Sequence, residues 1–181
     1  MVSNQNTESF NASAGANNSK WALLVPPYIF LYTLAAIWLT LDGWLSGFSS
    51  ILNLWTFDIE PPRLVISILF TMTGAMLGSS LLGIISFHRY HAIEKSFDTD
   101  HLWGFLFSPL LALIVGVLIF AIIQSGLIVL SGDISHATNP ESATLGYLAI
   151  GGVSGYNWDV FVKKLEELSK NVINTSESTN N

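Results

Sequence analysis

His88, His91 and Glu94 follow one another at steps of three residues, with Asp98, Asp100 and His101 close behind. Imidazole nitrogens beside a carboxylate are the groups that hold a transition metal or exchange a proton near neutral pH. A metal centre needs at least three ligands converging on one point. Steps of three drift by about 60° per interval around an α-helix, so these three side chains fan out rather than meet. The segment therefore reads as a solvated juxtamembrane elbow of His88, His91 and Glu94. Its functional alternative is a response to pH or lipid headgroups, and no metal and no cofactor are expected.

A second group is acidic. Asp42, Asp58 and Glu60, with Asp133 and Glu141, stand against the single cation Arg63. If they share one side of a membrane, they form an outer acidic mouth that would concentrate cations around an oligomeric pore. The alternative is the ordinary scarcity of basic residues on the outer side.

The third group is neutral. Thr71 to Gly83 reads T-M-T-G-A-M-L-G-S-S-L-L-G, placing Gly74, Gly78 and Gly83 among hydroxyl side chains inside an otherwise apolar stretch. Gly151 and Gly155 repeat the G-x-x-x-G spacing near the C-terminus. Between helices in lipid there is no hydrophobic drive, so close backbone approach must hold them, and small residues permit it. With Ser67 and Thr71, these glycines are expected either to pack helices or to line a pore.

No phosphate-binding glycine loop, nucleophile elbow, H-E-x-x-H or C-x-x-C occurs, and there is no cysteine at all, so catalysis has no positive support. The absence of a charge deep in any apolar run speaks against a proton-coupled pump. With seven Lys and Arg and a net charge of −6, nucleic acid is not an expected partner.

The elements that must carry these residues follow from hydropathy. Half the residues are hydrophobic, 11% are charged and the mean hydropathy is +0.50, the balance of a chain dissolved in lipid. The runs Trp21 to Leu41 and Leu64 to Phe87 are uncharged and would reach about 31 and 36 Å as helices, enough to cross. Asp42-Gly43 is read as the end of the first. Trp44, Phe48, Ile51, Leu52 and Trp55 then fall at helical spacing, which predicts a helix lying in the interface. Leu102 to Gly132 is too long for one span, so the third helix is expected to start near Ser108 with Pro109 in its first position, after an aromatic foot. Ala143 to Trp158 is the shortest apolar run, about 24 Å.

The expected fold is an all-α, polytopic membrane protein. Residues 1–20 form a disordered polar tail without the basic start of a signal peptide, and 21–159 a four-helix transmembrane bundle. Residues 160–173 form a cytoplasmic amphipathic helix with Phe161, Leu165, Leu168 and Val172 on one face, and 174–181 a second disordered tail. Four crossings place Lys20, Arg89, Lys95, Lys163, Lys164 and Lys170 on one side and Arg63 on the other, which makes both termini cytoplasmic. The functional expectation is a small oligomeric passive ion channel or pore with cation preference. The alternative is a non-catalytic accessory or assembly subunit of a membrane complex. The expected partners are the lipid bilayer and either further copies of the chain or another membrane protein.

Overall fold

A computed structural model describes residues 23–55, 61–89, 100–126 and 140–177, and all regular structure among them is helical. The helices are α1 (Val25–Ser46), the single turn α2 (Ser49–Leu52), α3 (Arg63–His88), α4 (Asp100–Gln124), α5 (Pro140–Tyr156) and α6 (Trp158–Glu177); a 3-10 turn, Asn53–Trp55, follows α2. The expected N-terminal tail, Asp58, Glu60, His91 and Glu94 lie outside the described residues. Among the described residues, three helices are long and apolar enough to cross a membrane: α1, α3 and the stretch of α4 from Leu102 to Gln124. Among the described residues the protein is thus all-helical with three candidate spans, consistent with a place in a membrane.

Helix α1 opens with Pro26 and Pro27 in its first turn, where the missing N–H groups have no intrahelical acceptor to lose. Its end differs from the expectation. Gly43 does not stop the helix, which runs to Ser46 and is closed by Gly47 in the left-handed region (φ 63°), its N–H bonded to the Gly43 carbonyl at 3.1 Å. A glycine inside a helix costs only about 1 kcal/mol, far less than an unsatisfied backbone group in lipid.

The expected interfacial helix over Trp44 to Trp55 is likewise not one element. Phe48, which its periodicity places on the apolar face, takes a left-handed conformation (φ 64°) and reverses the chain. That conformation costs a non-glycine residue about 1–2 kcal/mol. The ring offsets it by being wholly buried, 4.8 Å from the Phe70 ring in an edge-on contact.

Helix α4 also departs from its expected start. It is continuous through Pro109, which lies inside it. Helix α6 begins at Trp158 and extends to Glu177, past the expected end at Ile173.

Buried residues make up 56% of the most apolar window of α3, against 28% for α1 and 33% for α4, so α3 is the central helix around which the others pack. The core has two aromatic ends. Val25, Ile29, Tyr32 and Phe105 gather where α1 and α4 begin, and Phe48, Phe70, Phe120 and Tyr147 gather at the opposite end. Between them the bundle is narrow, because α3 presents small residues there.

Candidate functional site

The narrow middle of the bundle is where the residues singled out by type come together. A Cβ added at Gly74 would strike the carbonyl of Leu148, and one at Gly78 the carbonyl of Gly152. From the other side, a Cβ at Gly151 would strike the carbonyl of Thr71, and one at Gly155 the carbonyl of Ala75. The contacts advance together along both chains, so α3 and α5 run parallel and touch backbone to backbone over about two turns. Such contact is open only to glycine, since any side chain would occupy space already held by the opposing peptide.

Gly83 belongs to a different face. A Cβ there would lie 3.1 Å from the Tyr32 hydroxyl and 3.5 Å from Cδ1 of Ile29, so this glycine admits α1 rather than α5. Gly116 and Gly43 were not singled out by their spacing. A Cβ on Gly116 would come within 2.9 Å of the Met72 Cα, and one on Gly43 within 2.5 Å of the Phe48 ring. The available signal for Gly116 was its isolation, as the one small residue in the aliphatic run Leu113 to Phe120.

The hydroxyls of α3 are turned inward. Thr71 is buried and donates to the Ser67 carbonyl at 2.9 Å; Thr73 and Ser80 donate to the carbonyls of Phe70 and Leu77 at 3.1 and 2.8 Å. These bonds back to the same helix hide the polar atom and leave the methyl or methylene outward. Ser79 instead reaches α4, with its hydroxyl 2.5 Å from that of Ser108 and 3.3 Å from the Ser108 carbonyl.

Beside that contact, α4 runs on through Pro109. Pro109 has no N–H for the carbonyl four residues earlier, and its ring crowds the preceding turn. Near it, Ser79 from α3 and Tyr28 from α1 donate to the carbonyls of Ser108 and Leu106, at 3.3 and 2.9 Å. The Tyr32 hydroxyl lies beside Ser79 and Ser108 and is buried, yet it makes no hydrogen bond.

At the far end of α1, Asp42 is held by serines. Its Oδ1 accepts from the hydroxyls of Ser46 at 2.6 Å and Ser50 at 2.9 Å, and its Oδ2 from the Ser50 N–H at 3.3 Å. Ser49 extends the chain of hydroxyls to Ser46 at 2.9 Å. The carboxylate thereby ties together the reversal at Gly47 and Phe48. Trp44 Nε1 donates to Thr144 Oγ1 at 3.3 Å and Gln124 to the Tyr147 hydroxyl at 2.7 Å, which fastens α5 to α1 and α4 at the same end.

His88 closes α3 at the opposite end and is exposed. Among the described residues, no group of three or more His, Asp or Glu converges on a point. Around Ser79 and Ser108 the hydrogen bonds join only neutral groups, a hydroxyl pair and a backbone carbonyl. Compared with protein-family models, curated proteins and solved structures, the chain matches none.

Proposed function

We propose that the protein is a non-catalytic accessory or assembly subunit of a membrane complex, with four crossings and both termini in the cytoplasm. The observation that carries this reading is the fate of the small and hydroxyl residues of α3. Gly74, Gly78, Thr71, Thr73 and Ser79 are buried against α5 and α4, with the hydroxyls bonded to backbone or to each other. They are therefore spent on internal packing. The outward faces of α1 and α4 carry Leu31, Leu34, Trp38, Leu110, Ile114 and Leu118, which suit lipid or another apolar helix and not a water-filled path.

The fourth crossing rests on register. Helix α5 runs parallel to α3, but its last residue, Tyr156, lies level with Gly78, about 15 Å short of the end of α3. The chain does not unwind there. Asn157 donates to the Val153 carbonyl at 3.1 Å and its own carbonyl accepts from the Phe161 N–H at 3.0 Å, so helical bonding passes through the junction. Continued in line, the residues from Tyr156 to Lys163 add about 10 Å of that length. Four crossings also keep Lys163, Lys164 and Lys170 on the side of Arg89, as the positive-inside bias requires.

A cation-preferring oligomeric channel is the second reading, favoured by the half-buried carboxylate of Asp42 at the proposed outer end. Its path would have to form between copies of the chain. The deciding experiment is ion flux in liposomes containing protein whose oligomeric mass has been measured in mild detergent. The assembly reading expects no flux above protein-free vesicles. Cation flux from a verified oligomer, reduced by changing Asp58 and Glu60 together to amides, would overturn it.

A further inference from the structure

Helix α6 carries an apolar stripe that the bundle does not bury. Trp158, Phe161, Leu165, Leu168 and Val172 follow one another in the sequence at steps of three, four, three and four. Their mean step of about 3.5 residues is the heptad spacing of a coiled coil. Trp158 and Val162 are exposed, and Phe161 and Leu165 are only half-buried. Helical bonding passes from α5 into α6 through Asn157, so α6 leaves along the direction of α5, which is parallel to α3. Continued in that direction, its 20 residues reach about 30 Å, where only about 15 Å remain to the end of α3. The last turns of α6 therefore stand beyond the end of α3, and a single short helix in water is marginal without something to pack on.

We infer that this stripe pairs with the same stripe of a second copy of the chain, as a short parallel coiled coil. Copies in one membrane share one orientation, so their α6 helices leave side by side and in register. The charges permit that approach. Lys163, Glu166, Glu167 and Lys170 fall at the heptad positions that point away from the seam. Lys164 is the one charge at a flanking position, and across a parallel seam it meets Ser169, so no like charges oppose each other. The same charges disfavour the bilayer surface as the occupant. Helices that lie on lipid are rich in Lys and Arg on their polar face. Helix α6 sets three lysines against four carboxylates, and Lys164 and Lys170 are already bonded at 2.6 Å to Glu167 and Glu166 of the same helix. Self-pairing serves assembly or conduction alike, so its failure would leave either reading of the bundle standing.

The test is oxidative crosslinking of the full chain in the membrane, where a protein without native cysteine reports single introduced thiols. Leu165→Cys and Leu168→Cys should each join two copies, because equivalent seam residues face each other in a parallel pair. Lys163→Cys and Lys170→Cys, on the far side of the helix, should not. Leu165→Glu should abolish the crosslink at Leu168→Cys by placing two carboxylates in the seam, and Lys163→Glu should leave it unchanged. Equal crosslinking at all four positions, none at Leu168→Cys, or a crosslink there that survives Leu165→Glu would each overturn the inference. Quenching of a fluorophore on Leu168→Cys by brominated lipid would overturn it too, by showing that the stripe lies on the bilayer. Should Leu165→Glu fail to insert, the pattern across the four single cysteines still decides it.

Discussion

The carbonyl of Gly152 occupies the place that a side chain at Gly78 would take. Nothing at this contact can yield, because the opposing group is the backbone of a second helix and not the end of a flexible side chain. Gly78→Ala should therefore already destabilise, and Gly78→Leu or Gly151→Leu should cost at least about 3 kcal/mol, by forcing α3 and α5 apart. Leu82→Ala, which removes a half-buried side chain from the same helix, should cost less than either. Thermal unfolding in detergent measures all four. Equal melting temperatures for the glycine and leucine variants would show that α3 and α5 do not touch along this line.

The ring of Phe48 fits against Gly43 in the same way, but here the neighbour is a side chain. Gly43→Ala should destabilise by about 1–3 kcal/mol through overlap with the ring. Phe48→Ala should cost about 3 kcal/mol through the cavity left against Phe70 and Phe120. In the double variant the overlap disappears, so the two losses should sum to more than the loss measured for the pair together. Strict additivity in a double-mutant cycle would place the ring elsewhere.

Two tyrosines of α1 should respond oppositely to loss of the hydroxyl. Tyr28 donates to the Leu106 carbonyl in the turn loosened by Pro109, and Tyr28→Phe should cost about 1 kcal/mol. Tyr32 buries a hydroxyl without a partner, so Tyr32→Phe should be neutral or stabilising by up to about 1 kcal/mol. Paired unfolding measurements check this, and a loss at Tyr32 equal to that at Tyr28 would mean that its hydroxyl is bonded after all.

Topology is accessible through a chain with no native cysteine. In intact cells, the proposed four-crossing topology expects an impermeant thiol reagent to label Ser50→Cys, in α2, and to label Ser178→Cys only after the membrane is opened. Labelling of Ser178→Cys in intact cells would reduce the crossings to three.

Much of the helical layout was legible because lipid leaves the backbone few options. A long uncharged run must close its own hydrogen bonds, so the runs around Leu64 to Phe87 and after Leu102 translate directly into α3 and α4. Element ends were less legible, for a reason visible at three residues. Asp42-Gly43 looks like a stop, but lipid favours continued helix to Ser46. Phe48 fits a helical stripe, but its burial against Phe70 rewards a reversal. Pro109 looks like a start, but the helix runs through it, beside contacts from Tyr28 and Ser79 on helices distant in sequence.

By itself, the sequence determined the class of protein, its helical content and the positions where backbones can approach, since each depends on local composition and on spacing within one helix. Only the tertiary structure decided what approaches where. Gly74 and Gly78 face α5, Gly83 faces α1, Ser79 faces α4, and the isolated Gly116 receives Met72 of α3. Successive residues of a helix point about 100° apart, so a single small-residue stretch serves three neighbours at once. Which neighbour takes which face is set by the packing of the whole bundle, and no spacing along one chain segment encodes it.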